Sequence, residues 1–231
     1  MREIVMDTET TGLDPYQGHK IVEIGAIELL NHIPTGRTFH KYLNPRRVMP
    51  KEAFDVHGLG NEFLKGKPIF KDITEMFLEF IEDSTLVIHN ANFDIKFLNH
   101  ELESIGFKAL KKERVLDTLA LARKKFPGSP ASLDALSRRF KVDLSKREKH
   151  GALLDSEILA VVYLELIGGR QPDLILTSEG ERSSNIRPIE NLTPLSRENP
   201  LPERITLSET EAHKTFLKSF SNEALWNKLS S

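Results

Sequence analysis

The sequence predicts a mixed α/β fold, in which an antiparallel meander of three strands is followed by strands that alternate with helices. Three β-rich segments precede Asn44-Pro45 and are separated by short connections, which is typical of a meander. Beyond them, apolar residues recur at helical spacing around two further short β-rich runs. Helices that alternate with strands cover the faces of a sheet, so we expect a mixed sheet flanked by helices.

Local composition and stop signals set the bounds of each predicted element. Strands are predicted at residues 2–7, 20–30, 37–43, 85–89 and 114–116. Helices are predicted at residues 50–56, 72–82, 93–105, 118–126, 133–140 and 152–166. Ser132 is expected to cap the start of its helix, and Gly168-Gly169 to end the last one.

Composition changes after Gly169. Residues 170–204 contain several prolines and many polar residues with little periodic apolar content, which is typical of a flexible linker. We therefore divide the chain into a domain at 1–169, a linker at 170–207 and a short helical tail at 208–231.

The tail is predicted to begin with a capping box at Ser208-Glu209-Thr210-Glu211. It carries three aromatic residues, Phe216, Phe220 and Trp226. A short helix cannot bury such side chains alone. The tail is therefore expected to pack on its own domain or on a partner.

Bulk composition narrows the classes of function. The chain has 231 residues and a net charge of −2, which argues against a broad basic face that binds nucleic acid by charge alone. It has no cysteine, which excludes disulfides, a thiolate nucleophile and cysteine-bound zinc. It has neither a basic-then-apolar leader nor an apolar run of about 18 residues. We expect a cytoplasmic protein without a membrane span.

Asp7 ends the first predicted strand, and Glu9 follows two residues later, on the same face if the strand continues. Side chains alternate along a strand, so these two carboxylates lie on the same face and repel each other unless a cation sits between them. Mg²⁺ prefers oxygen ligands of this kind. The alternative is an exposed acidic pair at a strand end.

Asp94 follows the fourth predicted strand in the run His89-Asn90-Ala91-Asn92-Phe93-Asp94. Ligand-binding groups in open α/β sheets gather at strand ends, so Asp94 is expected to approach the first acidic pair. Asn90 is a candidate donor to a phosphate or sugar. The alternative is that Asn90 and Asn92 only end the strand and that Asp94 caps the next helix.

His150 and Asp155 flank the start of the last long helix. Five residues turn an ideal helix by about 140° from one side chain to the other, so the two would not share a helical face. Gly151 places His150 in the preceding loop, from which it can reach over a metal held by Asp155. A carboxylate in so apolar a helix is costly to bury unless it is paired or metal-bound. The alternatives are a helix-start carboxylate and an ordinary surface histidine.

Four carboxylates and a histidine at element ends suit metal-assisted phosphodiester hydrolysis. Two metal ions would activate the attacking water and stabilise the leaving oxygen, and a histidine would take the proton of the water.

Three strings together resemble the DnaQ-like (DEDDh) 3′–5′ exonucleases. DTETTGLD is similar to the first motif of that family, HNANFD to its second and HGALLD to its third. The likeness extends over residues 1–169 and includes GHKIVEIGAIEL and VLDTLALARKKFPG. It implies a ribonuclease-H-like fold and two divalent metal ions, Mg²⁺ or Mn²⁺. The longer strings are most similar to members that proofread for a bacterial replicative DNA polymerase.

The resemblance implies a role for each matching residue. It makes Asp7, Glu9, Asp94 and Asp155 metal ligands and His150 the general base. It also implies that the terminal nucleotide binds residues near these groups: Asp7, Thr8, Glu9, Thr10, Thr11, Gly12, Leu13, His57, Gly58, Leu59, Asn90, Phe93 and Asp155.

The resemblance also implies partners. They are a single-stranded or frayed DNA 3′ end, a catalytic polymerase subunit bound through Phe216, Phe220 and Trp226, and a small accessory subunit. Residues 171–176 have the Q-x-x-L-x-L form of sliding-clamp peptides, through Gln171, Leu174 and Leu176. The alternatives are a chance match for this peptide, a free-standing RNase or DNase, and a catalytically silent nucleic-acid-binding adaptor.

Overall fold

A computed structural model describes residues 1–144, 149–168 and 205–218 of the chain. The chain divides into two compact units, Met1–Ile175 and Leu176–Ser231. The strands and all but one of the described helices belong to the first unit. Among the residues described, no helix has the length and apolar character that a membrane crossing requires.

The first unit is built on a five-stranded mixed sheet of order β3-β2-β1-β4-β5. β1 pairs antiparallel with β2, and β2 with β3, whereas β4 runs parallel to β1 and β5 parallel to β4. The predicted fold class, a meander followed by parallel strands, is confirmed. The strands are β1 (Arg2–Thr10), β2 (Ile21–Leu30), β3 (Ile33–Tyr42), β4 (Thr85–Ile88) and β5 (Val115–Asp117).

Helices cover both faces of this sheet. One of them, α2, was not predicted, because a single turn between Gly60 and Lys65 is too short to show helical periodicity. The helices of the first unit are α1 (Lys51–His57), α2 (Asn61–Leu64), α3 (Phe70–Ile81), α4 (Ala91–Ser104), α5 (Thr118–Lys125), α6 (Leu133–Arg139) and α7 (Ala152–Leu166).

β1 continues three residues beyond its predicted end at Asp7. Its pairing with β2 runs on through Asp7, opposite Gly25, and Glu9, opposite Glu23, before the register shifts at Thr10. Acidic residues are poor strand formers, but the neighbouring strand supplies ladder hydrogen bonds that local propensity does not register. Both carboxylates therefore project from regular strand, on one face.

β1 and α7 meet through side chains spaced at matching intervals. The Tyr163 hydroxyl donates to Glu3 Oε1 at 2.5 Å, and Leu159 packs in one apolar cluster with Val5. Four helical residues advance about 6 Å, and two strand residues about 6.7 Å, so the next pair in this series is Asp155 with Asp7. The same packing that buries Val5 thus brings two acidic residues together.

α7 can lie this close to the sheet because residue 25 has no side chain. A Cβ on Gly25 would stand 2.2 Å from Ala152 C and from Leu153 N. Ser156 adds to the contact, since its hydroxyl donates to Gly25 O at 3.0 Å. The start of α7, which carries Asp155, is therefore held against β2.

Gly25→Ala is expected to lower the free energy of unfolding by about 1–3 kcal/mol or more and to reduce nuclease activity in the fraction that folds. Backbone atoms cannot move aside as a flexible side chain can, so α7 must shift away from β2. Denaturant unfolding and a nuclease assay on the same sample measure both effects. Gly66→Ala is the matched control, because nothing lies within 4 Å of its added Cβ. Equal stability of the two variants would contradict the prediction.

The second unit contains α8 (Leu207–Leu217) among its described residues. The capping box predicted at Ser208 is wrong: Thr206 caps this helix, accepting from Glu209 N at 3.3 Å while Glu209 Oε2 accepts from Thr206 N at 2.8 Å. Glu209 lies three residues after Thr206 and so completes that box. Phe216 is exposed on α8. Outside the described residues lie Gln171, Leu174, Leu176, Phe220, Trp226 and residues 170–204 of the predicted linker.

Candidate active site

A cleft of about 480 Å³ opens at the ends of β1 and β4. It brings together all five residues that the sequence proposed for catalysis, and their neighbours on α4, α5 and α6. The lining residues are Asp7, Thr8, Glu9, His89, Asn90, Phe93, Asp94, Leu119, Arg123, Ser132, Leu133, Asp134, His150 and Asp155.

Asp7 lies in the floor of this cleft. Burial, the carboxylate of Asp94 and the carboxylate of Glu9 raise the pKa of Asp7 well above its usual value. Asp155 adds to the same effect. The fold therefore concentrates negative charge at a point where it is unfavourable without a counter-ion.

Asp94 is presented by the first turn of α4 and is buried. Asn90, which precedes this helix, adopts the left-handed conformation with φ 61°, so the chain turns sharply from β4 into α4. Thr8 Oγ1 donates to Asp94 Oδ1 at 2.7 Å. Burial raises the pKa of Asp94 to about 7, although the bond from Thr8 opposes that shift. Thr8 thus links β1, which carries Asp7 and Glu9, to α4, which carries Asp94.

His150 lies in the loop before α7, as the sequence suggested. Its Nδ1 is 3.0 Å from Asp155 Oδ2, and its backbone N is 3.4 Å from Val56 O at the end of α1. Lys149 strengthens this attachment, because its Nζ lies 5.2 Å from the ring centroid of Phe54 on α1. The imidazole is exposed, whereas the carboxylate of Asp155 is buried.

Three residues offer ligand atoms that all lie within 4.8 Å of one another: Glu9, His150 and Asp155. Carboxylate oxygens are ligands suited to Mg²⁺ and Mn²⁺, and Asp7 and Asp94 add negative charge beside this group. The residues present therefore fit a divalent cation, although the close group includes His150 and omits Asp7 and Asp94. The sequence had assigned all four carboxylates to metal and His150 to proton transfer.

A second cavity, also of about 480 Å³, adjoins the cleft and shares Thr8, Glu9 and Phe93 with it. It contains most of the residues that the resemblance assigned to the terminal nucleotide. Its lining is Thr8, Glu9, Thr10, Thr11, Gly12, Leu13, Gln17, His19, Pro50, Glu52, Ala53, Val56, His57 and Phe93. We call this cavity the nucleotide pocket.

Five residues assigned to the terminal nucleotide do not line this pocket: Asp7, Asn90 and Asp155 line only the cleft, and Gly58 and Leu59 line neither cavity. Gly58 ends α1 in the left-handed conformation with φ 75°, and Leu59 packs beside the buried cluster of Val22, Met49 and Leu64. Leu59 N donates to His57 Nδ1 at 3.0 Å, so both residues shape the buried His57 rather than the cavity wall. These two substrate assignments are not supported by the geometry.

The hydroxyls of two assigned threonines are already bonded within the protein. Thr10 Oγ1 donates to Gly12 O at 2.6 Å, and the fully buried Thr11 Oγ1 is 3.2 Å from His19 Nδ1. These contacts fold the loop after β1 into the pocket wall. Asn90 lines the catalytic cleft instead, with its side chain making no capping bond.

Sequence reasoning missed several lining residues. His19 and Gln17 come from the turn after β1, and Glu52 and Val56 lie on one face of α1 at i, i+4 spacing. That spacing was visible in the sequence, but nothing local says what the face contacts. Arg123 and Leu119 show the same i, i+4 relation on α5.

The metal-free protein is expected to lose stability as pH rises from about 4 to about 7. The pKa of Asp94 is raised from 3.8 to about 7 in the folded protein. Below both values the carboxyl is protonated in both states; between them only the unfolded chain releases its proton, so unfolding becomes more favourable. Thermal midpoints in EDTA at pH 5, 6, 7 and 8 measure the slope.

Asp94→Asn should flatten that slope relative to the wild type, and Asp83→Asn, an exposed residue far from the cleft, should not. Divalent metal should bind more tightly as pH rises, because it displaces the proton. Parallel slopes for wild type and Asp94→Asn would contradict the assignment.

Comparison with known proteins shows that the chain is similar in sequence to exonucleases. A model of an exonuclease family (RNase T) matches residues 4–163. A DNA polymerase III subunit epsilon from Rickettsia felis is 51% identical over 227 residues, which cover 97% of this chain and 99% of that protein. The subunit of that name from Escherichia coli K12 is 49% identical over 192 residues, covering 78% of this chain and 76% of that protein.

The fold is also similar to that of solved nucleases. The nuclease domain of 3′hExo, a DEDDh family member bound to rAMP, aligns with a TM-score of 0.63 and 18% identity. The alignment covers 72% of this chain and 91% of that domain. At this identity the likeness supports the fold.

Proposed function

The chain belongs to the RNase T exonuclease family and, within it, to the DNA polymerase III epsilon subunits, and from this we propose how its residues remove nucleotides from a DNA 3′ end. Its activity is that of a metal-dependent 3′–5′ proofreading exonuclease. The observation that carries the residue-level proposal is the convergence of Asp7, Glu9, Asp94, His150 and Asp155 on one cleft beside the nucleotide pocket.

Glu9 and Asp155 would hold the first of two divalent ions, and Asp7 and Asp94 would complete the second site. Mg²⁺ or Mn²⁺ bound there would supply activation of the attacking water and neutralisation of charge on the phosphodiester. The raised pKa values of Asp7 and Asp94 support this proposal, because a cation would offset the cost of charging carboxyl groups that are buried and close to other carboxylates.

His150 would take the proton of the attacking water. The contact of its Nδ1 with Asp155 orients the ring, which leaves Nε2 as the nitrogen that receives the proton. The backbone contact with Val56 O fixes the loop that carries the ring. Hydrolysis then releases a 5′-mononucleotide and shortens the strand by one residue.

The nucleotide pocket would receive the terminal nucleotide after it leaves its base pair. Phe93 lies between this pocket and the cleft and offers a ring beside the entering base. The exposed side chain of Leu13 offers a second apolar surface at the rim. A mispaired end costs less to unstack than a paired one, so mismatches would be removed preferentially.

We propose the same division of the chain as the sequence suggests: a nuclease domain at 1–169, a linker at 170–207 and a tail at 208–231. The tail would bind the catalytic (alpha) subunit of DNA polymerase III through Phe216, Phe220 and Trp226. Residues 171–176 would bind the sliding clamp, and a small accessory subunit would bind the nuclease domain. The protein would act in the cytoplasm.

Nucleotide release from a 3′-labelled primer tests this function. Primers with paired and mispaired termini are compared in Mg²⁺, in Mn²⁺ and in EDTA. Metal-dependent release of 5′-mononucleotides, faster from the mismatch, supports the proposal. Cleavage of a matching RNA but not of DNA would point to an RNA-processing nuclease instead, and cleavage of neither would point to a silent adaptor.

Deletion of residues 208–231 is expected to leave the nuclease rate within about twofold while binding to the polymerase subunit is lost. Every residue of the catalytic cleft and the nucleotide pocket lies before this segment, so the chemistry does not require it. Co-elution with the purified catalytic subunit measures binding. A matched control replaces 208–231 with a Gly/Ser segment of equal length. Retained binding by the deleted chain would refute the tail assignment.

A further inference from the structure

Arg123 lines the catalytic cleft but plays no part in the chemistry described above. It projects from α5 on the same face as Leu119, which also lines the cleft. Among the described residues of the lining it is the only arginine or lysine, alongside five carboxylates and two histidines. It forms no ion pair with any described acidic residue. A permanent cation is therefore held at the wall of an acidic cleft.

His89 is a neighbour of Arg123 in the wall of the cleft. His89 lies close enough for the Arg123 charge to help burial lower the pKa of the imidazole. The ring is fixed by a 3.0 Å contact between His89 Nδ1 and Thr118 Oγ1 at the start of α5. The His89 ring beside the guanidinium is held in place and carries no negative charge that could pair with it.

Arg123 stands on the side of the cleft opposite to the nucleotide pocket. That pocket is built from the loop after β1 and from α1, whereas α5 follows β5, which lies two strands from β1. Two strand spacings are about 10 Å. A strand whose last nucleotide occupies the pocket and whose scissile phosphate meets the carboxylates would then run toward α5.

We propose that Arg123 binds the backbone phosphates immediately 5′ to the scissile one and so positions the strand for cleavage. This rests on the proposed function, in which the 3′ nucleotide occupies the nucleotide pocket. Metal ions held by the carboxylates would neutralise charge on the scissile phosphate, whereas the upstream phosphates would otherwise meet a cleft of carboxylates. A guanidinium pairs with phosphate oxygens through two parallel hydrogen bonds. This pairing fixes the orientation of the phosphate and also neutralises its charge.

A simpler explanation for a cation at this position is that basic residues stabilise the C-terminal end of a helix. α5 ends with Arg123, Lys124 and Lys125. Lys125 Nζ donates to Leu166 O at 3.0 Å, and Lys124 is exposed and does not line the cleft. Lys124 thus has the charge and helix position of Arg123 without its place in the cleft, and it is the matched control.

The test compares Arg123→Ala, Arg123→Lys and Lys124→Ala in the full-length chain on three substrates. The first is an unmodified 3′-labelled single strand. The second is the same strand with neutral methylphosphonates at the first two linkages upstream of the scissile one. The third is the p-nitrophenyl ester of thymidine 5′-monophosphate, which has a scissile phosphodiester but no upstream phosphate.

On the unmodified strand, Arg123→Ala is expected to raise KM about tenfold, with kcat changed less than twofold. The slope of log KM against log salt should fall by about 0.7, the value for one phosphate contact on a single strand. Arg123→Lys should restore part of the loss, and Lys124→Ala should match the wild type. On the other two substrates all four proteins should agree within about twofold.

Equal effects of Arg123→Ala and Lys124→Ala on the unmodified strand would overturn the inference. So would a loss of kcat on the p-nitrophenyl ester, since that places Arg123 on the scissile phosphate itself. If the wild-type chain releases no product from any of the three substrates, the proposed function itself is wrong. Failure of the proposed function can thus be told apart from failure of the inference about Arg123.

Discussion

Asp7→Asn is expected to reduce nucleotide release by about 10³-fold or more while the fold stays intact. Metal ions contribute several kcal/mol of transition-state stabilisation, and each 1.36 kcal/mol lost is tenfold in rate. The amide has the shape of the carboxyl but supplies no charge to the cation. Asp155→Asn should have an effect of similar size. Release from the 3′-labelled primer, together with Mn²⁺ titration, measures activity and metal binding on one sample.

The fold of Asp7→Asn should be at least as stable as that of the wild type without metal. Burial and four neighbouring carboxylates raise the pKa of Asp7, so removing its charge removes a repulsion. Asp83→Asn is the control, because Asp83 is exposed in the turn before β4, at the other end of the sheet. A rate for Asp7→Asn within tenfold of this control would refute the metal assignment.

His150→Ala is expected to slow cleavage by about 10²–10⁴-fold near neutral pH with little change in Mn²⁺ affinity. General-base catalysis contributes about that range, and a base positioned by Asp155 cannot be replaced by bulk water. A general base must be unprotonated to act, so with Mn²⁺ saturating at every pH the ascending limb of the pH–rate profile should disappear with the ring. Profiles of kcat from pH 5.5 to 9 measure this.

His213→Ala, on the exposed surface of α8, should keep the wild-type profile and serves as the matched histidine control. A His150→Ala enzyme with an unchanged ascending limb would show that another group accepts the proton. A loss of Mn²⁺ affinity comparable to that of Asp155→Asn would instead make His150 a metal ligand. This alternative has structural support, because the ligand atoms of Glu9, His150 and Asp155 lie close together.

The sequence by itself determined the order along the chain of the strands and of every described helix except α2, and the identity of the five catalytic candidates. β1, β2 and β4 are short runs of apolar residues, and their periodicity does not depend on what they pack against. The motifs around Asp7, Asp94 and Asp155 carry their own chemistry, because carboxylates at element ends are visible without coordinates. Ser132 was also readable as a cap, and its hydroxyl accepts from Ala135 N at 3.2 Å.

The tertiary structure alone decided how these parts meet. The bond from Thr8 to Asp94 joins residues 86 positions apart, and the contact of Gly25 with α7 places Asp155 beside β1. Neither can be read from local pattern, since each depends on two surfaces that become neighbours only when the sheet is covered. Arg123 is the clearest case: along the chain it is one basic residue at a helix end, and only the fold turns it toward an acidic cleft.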